Sequence, residues 1–307
     1  MTTPDTLWRP GSLRPMLATP VAGPFDDPQW LFEIKWDGYR CLAFVDEGLF
    51  LQSRTGRDLL PRFPQLAVLA GAWGRDRAIL DGEVVAFQGG LPSFAALGRG
   101  TAGGDEPAAV KYVVFDLLHW AGEDLIHLPL HRRRDRLAQL LAGLPPEAAH
   151  LVGLSEATAG EGRRLYRGAA RLGLEGIVAK ERDSLYHPGR RSRRWRKVRR
   201  VRTGDFIIGG VQPGERGGFG SLLLGAWDGR GGLRYVGSVG TGFSAGELGR
   251  LLAGLTPRRD SPFRDDVPWR PGTIFVEPRL ACRVEYLAVT PGGRLRHPVY
   301  RGLVDPR

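Results

Sequence analysis

The stretch Phe32-Glu33-Ile34-Lys35-Trp36-Asp37-Gly38-Tyr39-Arg40 decides how the rest of the chain is interpreted. It places a lysine at the end of an apolar, strand-like run and follows it with a carboxylate, a glycine and an arginine. A lysine amine can lose its proton and act as a nucleophile, whereas a guanidinium effectively cannot, so Lys35 is a candidate nucleophile. A surface ion pair between Lys35 and Asp37 is the alternative that this stretch alone leaves open.

The scarcity of lysine elsewhere strengthens the first interpretation. The chain has 44 Lys and Arg, and only four of them are lysines. Those four are Lys35, Lys111, Lys180 and Lys197. Where charge alone is needed the chain uses arginine, so each lysine invites a search for chemistry that arginine cannot perform.

Composition narrows the class of protein. The 307 residues carry a formal net charge of +11, which favours a polyanionic partner, most simply nucleic acid, over a merely arginine-biased composition. Two cysteines, Cys41 and Cys282, are too few for a disulfide framework or a four-cysteine zinc site. The sequence shows neither a signal peptide nor a run of transmembrane length, so we expect a soluble cytoplasmic protein.

The first two thirds of the chain mix strand and helix patterns. Residues 31–45 predict two strands joined by a tight turn at Asp37-Gly38, and residues 78–87 predict a strand–turn–strand centred on Asp81-Gly82-Glu83. Helical spacing predicts helices over 61–73, 132–144 and 161–172. The run 112–120 predicts a buried strand.

After Thr203 the pattern becomes short strands separated by glycine-rich turns, with one helix at 245–255 that begins in the capping box Ser244-x-x-Glu247. This pattern is typical of a small β-barrel such as an OB-fold. We therefore predict an α+β protein in which residues 1–202 form antiparallel sheets flanked by helices, and residues 203–307 form an OB-fold β-barrel domain.

Residues suited to nucleotidyl transfer by an amine lie at strand edges. Lys35 is the amine, and Glu83 and Glu175 are acids beside glycines, where they can hold a metal or be ordinary turn acids. Phe115 can present its ring to a purine or belong to the core. The cations available for phosphate are Arg54, Lys180, Lys197 and Arg199.

The run 182–202 is strongly basic and predicts contact with nucleic acid, although residues 190–202 could instead be a solvated tail. Trp195 within the run argues against the tail, because exposed disordered segments rarely carry tryptophan. The predicted DNA contacts are Arg190, Arg193, Arg194, Arg199 and Arg200.

Six segments, in order, resemble the motifs of the covalent nucleotidyltransferases. They are Lys35-Trp36-Asp37-Gly38-Tyr39-Arg40, Ser53-Arg54-Thr55-Gly56, Asp81-Gly82-Glu83, residues 112–116, Glu175-Gly176-Ile177-Val178-Ala179-Lys180 and Trp195-Arg196-Lys197-Val198-Arg199. Within that superfamily the chain is most similar to ATP-dependent DNA ligases, specifically the ligase module of bacterial non-homologous end-joining ligases. Two further segments, Leu13-Arg14-Pro15-Met16-Leu17-Ala18 and residues 235–243, resemble that subgroup.

The resemblance implies a role for each matched residue. Lys35 would become adenylated by ATP, Glu33 and Phe115 would sit at the adenine, and Glu83 and Glu175 would help to hold Mg²⁺ or Mn²⁺. The residues implied to bind the nucleotide are Glu33, Lys35, Arg40, Arg54, Glu83, Phe115, Glu175, Arg191 and Lys197. The implied domains are an adenylation domain at 1–202 and an OB-fold domain at 203–307.

The implied function is sealing of 5′-phosphate/3′-hydroxyl nicks in DNA repair and recombination. The expected partners are ATP, nicked or broken double-stranded DNA and a Ku-like end-binding protein. We expect a monomer that is associated with the bacterial nucleoid and has no membrane contact. The alternatives are an RNA ligase, a capping-type nucleotidyltransferase, and a nick-binding module impaired in self-adenylation.

The chain departs from the ligase pattern in three places. Arg199 replaces the second lysine of the Trp-x-Lys-x-Lys motif, and Ser238 stands where the subgroup usually has a lysine. The last motif, Arg-x-Asp-Lys in the family, is replaced by Val304-Asp305-Pro306-Arg307. The resemblance therefore predicts slow loading from ATP unless Arg301 or Arg307 substitutes.

Overall fold

We describe a computed structural model of the chain over residues 10–74, 76–98, 108–215, 217–229, 231–290 and 292–304. The chain divides into two compact units, Met1–Arg200 and Val201–Arg307. The sequence predicted the boundary two residues further along, between residues 202 and 203. In the part of the chain that the structure describes, no helix is both long and apolar enough to cross a membrane.

The first unit is built mainly from strands. Its strands are β1 (Leu17–Pro20), β2 (Asp27–Ile34), β3 (Tyr39–Val45), β4 (Leu49–Ser53), β5 (Ala78–Gln88), β6 (Leu91–Pro92), β7 (Ala109–Trp120), β8 (Glu123–Asp124), β9 (Val152–Leu154), β10 (Ala157–Gly160), β11 (Gly176–Glu181) and β12 (Arg191–Arg199). Its helices are α1 (Phe94–Gly98), α2 (Leu130–Ala142), α3 (Pro146–Ala149) and α4 (Gly162–Arg171), with 3₁₀ segments at Leu60–Arg62 and Pro64–Leu69.

These strands form two sheets that pack face to face. One sheet has the order β1-β12-β11-β2-β10, and the other has the order β4-β3-β5-β7-β8, with β6 paired to β5 and β9 paired to β7. Most pairs are antiparallel, and β1–β12 and β7–β9 are parallel. Phe44, Ile79 and Leu118 of the second sheet share a buried cluster with Trp195 of the first. The inner faces of both sheets therefore meet, as the predicted sheet-rich α+β domain requires.

Side chains along each strand of the first sheet alternate between its outer face and its inner face. Phe32, Ile177, Ala179 and Val198 pack with Ala169 of α4 on the outer face. Their neighbours in sequence point the other way, because successive strand residues face opposite sides of a sheet. The inner face thereby receives polar residues, which become the walls of a pocket. The polar inward residues include Glu33, Lys180 and Lys197, and the apolar Val178 lines the pocket with them.

The predicted hairpin over residues 31–45 is wrong. β2 pairs with β10 and β11, whereas β3 pairs with β4 and β5, so Asp37-Gly38 crosses from one sheet to the other. The turn-forming dipeptide was identified correctly, but local sequence does not say which sheet receives each strand. A Cβ atom at Gly38 would collide with the carbonyl oxygen of Val84, so the crossover needs glycine to lie against β5. The crossover places Lys35 at the junction of the two sheets.

The predicted strand–turn–strand over residues 78–87 is also wrong, because β5 runs unbroken from Ala78 to Gln88. Its pairing with β3 and β7 continues through Asp81-Gly82-Glu83, with a register shift opposite β7 between Asp81 and Gly82. That shift is a β-bulge, which bends a strand and re-aims its side chains without ending it. A glycine at a strand interior is therefore better explained here by a bulge than by a turn.

The predicted α-helix over residues 61–73 is replaced by the two 3₁₀ segments. Pro61 and Pro64 both lack the backbone N–H that an α-helix interior would need, which limits the segment to short turns. Leu66 and Leu69 are nevertheless buried against the second sheet, so the apolar spacing did identify core residues. The other two predicted helices are present as α2 and α4.

The basic run is an ordered strand for much of its length and not a tail. Residues 191–199 form β12, which pairs with β1 on one side and β11 on the other. Trp195 is 1% exposed and packs in the core between the sheets. The tryptophan therefore anchors the strand while its charged neighbours reach the surface and the pocket.

The second unit contains the predicted short strands and one helix. These are β13 (Arg202–Pro213), β14 (Phe219–Trp227), β15 (Leu233–Val239), α5 (Ala245–Ala253), β16 (Pro257–Arg258), β17 (Ile274–Val276), β18 (Ala281–Tyr286), β19 (Ala288–Val289), β20 (Leu295–Arg296) and β21 (Val299–Val304). The long strand β13 pairs with β14 along one edge and with β17 and β18 along the other. Ser244 caps α5, because its side chain accepts a hydrogen bond from the backbone N–H of Glu247. This curved antiparallel arrangement agrees with the predicted barrel.

Candidate active site

A pocket opens between the two sheets of the first unit. Five of its residues come from the stretch Phe32–Arg40, namely Glu33, Ile34, Lys35, Trp36 and Arg40. The remaining walls come from β1, β4–β5, β7, β11 and β12. The full lining is Leu17, Ala18, Glu33, Ile34, Lys35, Trp36, Arg40, Arg54, Glu83, Phe115, Val178, Lys180, Arg191, Trp195, Lys197 and Arg199. Every residue predicted to bind the nucleotide is in this lining except Glu175, which contacts Lys35 instead.

Lys35 is held by a carboxylate at the edge of the pocket. Its Nζ lies 2.5 Å from Oε2 of Glu175, and both side chains are about one fifth exposed. The backbone N–H of Lys35 also donates to the carbonyl oxygen of Gly176 at 2.9 Å, which extends the β2–β11 pairing by one residue. Glu175 is further contacted by Arg199, whose Nε lies 3.5 Å from Oε1. The predicted nucleophile therefore has a fixed base within reach of its amine.

Glu83 is the second acid near Lys35. Its Oε1 accepts a hydrogen bond from the backbone N–H of Gly38 at 3.2 Å. Burial raises the pKa of Glu83 to about 7, and the neighbouring Glu175 adds to that rise, while Lys35 and Arg40 oppose it. Glu83 and Glu175 are thus close enough to influence each other, and Lys35 interacts with both.

Glu83 and Glu175 are the acids of this pocket that could bind a divalent metal ion. Among the described residues, no group of three or more His, Cys, Asp and Glu side chains is placed to hold a metal ion. Mg²⁺ commonly uses only one or two protein carboxylates and completes its coordination with substrate phosphates and water. Glu83 and Glu175 are hard oxygen donors that interact across the pocket edge, so they fit an ion of that kind.

Phe115 lies in the pocket wall and also in the core. Its ring is 7% exposed, and Trp195 packs against it edge-on at 6.3 Å between centroids. Nζ of Lys180 lies 4.1 Å from the ring centroid, and Cζ of Arg40 lies 4.9 Å from it. The core and pocket interpretations of Phe115 are therefore both correct for its position, and its predicted stacking on adenine stays a prediction.

Arg40 is fixed by a ring of hydrogen bonds that the sequence did not reveal. Its Nε and Nη2 donate to the two oxygens of Asp81 at 2.9 and 2.6 Å, and Nη2 also donates to the carbonyl oxygen of Met16. The hydroxyl of Tyr186 donates to Asp81 at 2.7 Å and accepts from the N–H of Met16. Asp81 is fully buried, so these donors satisfy its charge. Its place beside the predicted Glu83 was the one available signal.

Glu33 is a buried carboxylate with two cations bound to it. Nζ of Lys180 lies 2.9 Å from Oε1 and 3.0 Å from Oε2, and Nη1 of Arg134 donates to Oε1 at 2.9 Å. Burial lowers the pKa of Lys180, while Glu33 opposes that shift. Sequence reasoning missed Arg134, which stands in an arginine run where neither composition nor motif distinguishes it.

The neighbouring Arg133 shows how different two adjacent arginines can be. It is fully buried and forms a two-pronged ion pair with Asp116 at 2.7 and 2.8 Å. Its remaining donors bind the carbonyl oxygens of Leu128 and Ser184. Arg133 therefore joins α2 to β7 and to the segment before β12, whereas Arg134 reaches Glu33 at the pocket.

Several cations line the pocket from β12 and from the residue that follows β4. Arg54 follows β4 and is exposed, and Arg191 lies on β12, where its Nη1 donates to the carbonyl oxygen of Ala18 at 2.6 Å. Burial lowers the pKa of Lys197, and the like charges of Arg199 and Arg191 lower it further. Mutual repulsion among these cations would be relieved by an anion such as a phosphate.

The residues predicted to contact DNA take different positions. Arg190, Arg193 and Arg194 are exposed, and Arg194 pairs with Glu181 at 3.2 Å. Arg200 donates to the carbonyl oxygen of Gly173 at the end of α4. Arg199 turns into the pocket, so its assignment to DNA stays a prediction.

The altered C-terminal motif is only partly described. Arg301 on β21 pairs with Glu285 on β18 at 2.7 Å. Residues 305–307 lie outside the described part of the chain. That Arg301 or Arg307 takes over the role of the altered last motif therefore stays a prediction.

Family models match both units. An ATP-dependent DNA ligase domain matches residues 15–199, and an ATP-dependent DNA ligase C-terminal region matches residues 215–305. The Multifunctional non-homologous end joining DNA repair protein LigD of Mycobacterium tuberculosis is 40% identical over 306 residues, covering 95% of this chain and 38% of that protein. DNA ligase C1 of Mycolicibacterium smegmatis is 31% identical, covering 94% of this chain and 88% of that protein.

Solved structures agree with these matches. The ligase domain of M. tuberculosis LigD is 36% identical, with a TM-score of 0.56 and 95% of each chain covered. A mycobacterial DNA ligase D complexed with ATP and MES is 37% identical, with a TM-score of 0.58 and 96% of each chain covered. The chain spans about two fifths of the length of the LigD proteins it resembles. These matches count against an RNA ligase or a capping-type enzyme. The chain belongs to the ATP-dependent DNA ligase family and has that family's nucleotidyltransferase domain followed by a C-terminal OB-fold domain.

Proposed function

We propose that the chain seals 5′-phosphate/3′-hydroxyl nicks in double-stranded DNA, using ATP and a covalent Lys35–AMP intermediate. The observation that carries this proposal is the contact of Lys35 with Glu175 at 2.5 Å, at the edge of a pocket whose lining includes Phe115, Glu33 and several cations. Nucleotidyl transfer requires a nucleophilic amine, an adjacent acid and cations that can bind phosphate.

In the first step, the amine of Lys35 attacks the α-phosphorus of ATP. The new N–P bond forms as the bond to the bridging oxygen breaks, and pyrophosphate leaves. Glu175 accepts the proton that the ammonium loses, since its Oε2 already contacts Nζ. Arg54, Arg191 and Lys197 stabilise the negative charge that gathers on the phosphates.

In the second step, an oxygen of the DNA 5′-phosphate attacks the Lys35-linked phosphorus, and the Lys35 amine is released. In the third step, the 3′-hydroxyl attacks that 5′-phosphate, AMP leaves, and the strand is joined. The exposed Arg190 directly precedes β12, and the exposed Arg193 and Arg194 lie within it, so these arginines can hold the DNA backbone near the pocket.

Glu83 and Glu175 would hold Mg²⁺ or Mn²⁺ together with the nucleotide phosphates. A bound divalent ion would supply further neutralisation of phosphate charge. Residues 1–202 would act as the adenylation domain and residues 203–307 as the DNA-binding OB-fold domain, an arrangement that the two family matches support.

The biological setting is inferred from the LigD proteins, which are described as multifunctional proteins of non-homologous end joining. We propose that the chain acts as a monomer on nicked or broken DNA in the bacterial nucleoid. A Ku-like end-binding protein is the proposed recruiting partner. Pull-down of a Ku-like protein together with this chain, with and without DNA, would test that recruitment.

Nick sealing tests the proposal directly. With ATP and Mg²⁺, a nicked duplex labelled at its 5′-phosphate should become a longer strand on a denaturing gel. Lys35→Ala should abolish sealing, whereas Lys111→Ala, which changes an exposed lysine of β7, should leave it intact. Binding of the nick by wild type without any sealing would instead support a nick-binding module that has lost self-adenylation.

A further inference from the structure

We infer that Arg134 determines base selectivity in the nucleotide pocket, by fixing the Glu33 carboxylate so that the pocket prefers a 6-aminopurine over a 6-oxopurine. This inference rests on the proposed function, because it concerns the nucleotide that the same pocket accepts. Arg134 belongs to none of the segments that resemble ligase motifs. It is a positioning residue, since it lies outside the pocket lining and acts through Glu33.

The pairing of the cations in the pocket sets the direction of a bound nucleotide. Lys180, which lies over the Phe115 ring, is bound to the carboxylate of Glu33. Lys197 instead lies beside other cations, including Arg191. A triphosphate belongs among these repelling cations, so the base is left beside the aromatic ring and the Glu33 carboxylate. Whatever group the base presents there must suit Glu33.

Glu33 is equipped to recognise a hydrogen-bond donor. Its side chain is 2% exposed, and its oxygens accept hydrogen bonds from both Lys180 and Arg134. An ionised carboxylate only accepts hydrogen bonds. The 6-amino group of adenine donates such a bond, whereas the 6-carbonyl of guanine or hypoxanthine would face the carboxylate with a second acceptor. A buried acceptor without a donor is costly, so this contact discriminates strongly.

Arg134 fixes the orientation of that carboxylate. Lys180 alone touches both carboxylate oxygens at nearly equal distances, 2.9 and 3.0 Å, and so does not select one orientation. Arg134 binds only Oε1 of Glu33, and its Nη2 is anchored on the carbonyl oxygen of Ser155 at 2.8 Å. It thereby leaves Oε2 as the oxygen with more acceptor capacity for a base.

Loss of Arg134 should therefore change which purine nucleotide the pocket prefers, and not only the rate at which the protein–nucleotide adduct forms. Without Arg134 the carboxylate of Glu33 can rotate about Lys180, and the ammonium of Lys180 becomes available to another acceptor. An ammonium is a donor and suits a 6-carbonyl. Arg136 lies on the same helix, α2, and provides a matched control. It is exposed, and its Nη2 lies 3.5 Å from Oε2 of Glu123 in β8.

The experiment compares ATP with inosine triphosphate, which differs from ATP at position 6 of the base and at the N1 proton that accompanies the carbonyl. Single-turnover formation of the protein–nucleotide adduct is measured for wild type, Arg134→Gln, Arg134→Lys and Arg136→Gln. We expect Arg134→Gln to reduce the preference for ATP by roughly tenfold or more. Arg134→Lys should restore part of the preference, and Arg136→Gln should retain all of it.

A second readout needs no chemistry. In the Lys35→Ala background, calorimetric Kd values for ATP and inosine triphosphate should show the same loss of preference with Arg134→Gln. An equal fall for both nucleotides, with the ratio unchanged, would mean that Arg134 is merely structural and would overturn the inference. If wild type forms no adduct, the proposed function fails, whereas the ratio of Kd values still decides the role of Arg134.

Discussion

At the scale of the residue, the pocket combines groups that motif reasoning finds with groups that it does not. Lys35, Glu83 and Phe115 could be selected from sequence, because nucleotidyl transfer requires an amine, a carboxylate and an aromatic surface for the nucleobase. Asp81 and Arg134 were missed because their importance depends on partners far along the chain, Tyr186 and Glu33. Arginine is so abundant here that residue type alone gives no signal for Arg134.

Glu83 makes a prediction about pH and stability in the metal-free protein. The pKa of Glu83 is about 7 when folded, against 4.5 ordinarily, so between these pH values the folded state binds a proton that the unfolded state has released. The contribution of Glu83 to the free energy of unfolding therefore falls as pH rises through this interval and is constant above it. The side chain of Glu83→Gln cannot ionise. The free energy of unfolding of this variant, relative to that of wild type, should therefore rise by up to about 3 kcal/mol as pH rises across the interval.

Urea unfolding in EDTA at several pH values checks this. Glu156→Gln, which changes an exposed acid, should follow wild type at every pH. A difference between Glu83→Gln and wild type that does not vary with pH would contradict the raised pKa of Glu83.

At the scale of the element, sequence patterns found most strands and helices but not their partners. The strands around Asp37-Gly38 were predicted, yet their placement in two different sheets depends on pairings with β5 and β11 that no local signal encodes. The glycine of Asp81-Gly82-Glu83 suggested a turn because a turn and a bulge use the same residue. Both errors concern the site, where close backbone approach overrides ordinary local preference.

Gly176 tests this close approach at the start of β11. Its φ is 139°, and a Cβ atom there would collide with the carbonyl oxygen of Val198 on β12. We expect Gly176→Ala to lower the free energy of unfolding by about 2 kcal/mol or more. Gly168→Ala is the control, since Gly168 lies in α4 with open space around it and alanine favours helix by up to about 1 kcal/mol.

Thermal and urea unfolding of the two variants give the comparison. Opposite signs for the two substitutions are expected. Equal stability of Gly176→Ala and wild type would show that β11 and β12 do not approach as closely as described, and that Glu175 is not held by this strand geometry.

At the scale of the whole molecule, positive charge favours binding of the proposed substrate, DNA. The net charge of +11 was readable from composition, whereas the structure places the exposed Arg190 just before β12 and the exposed Arg193 within it. Other side chains of β12 line the pocket. Composition could predict a polyanion but not the surface that binds it. That surface depends on β12 being a paired strand anchored by Trp195.

Binding to nicked DNA should therefore weaken steeply with salt, because each phosphate contact releases counterions. Replacing both Arg190 and Arg193 with Gln should reduce the slope of log K against log salt by about 2. Arg132→Gln, which changes an exposed arginine on α2, should leave the slope unchanged. Fluorescence anisotropy over a salt series measures all three, and a flat plot for wild type would rule out an interface dominated by backbone phosphates.

The central claim is that Lys35 becomes covalently adenylated, and intact-protein mass spectrometry tests it most directly. After incubation with ATP and Mg²⁺, wild type should gain the mass of one AMP, and peptide mapping should place that AMP on Lys35. The gain should be lost on addition of pyrophosphate and be absent from Lys35→Ala. No gain of mass in wild type, or the same gain in Lys35→Ala, would contradict the assignment of Lys35 as the nucleophile.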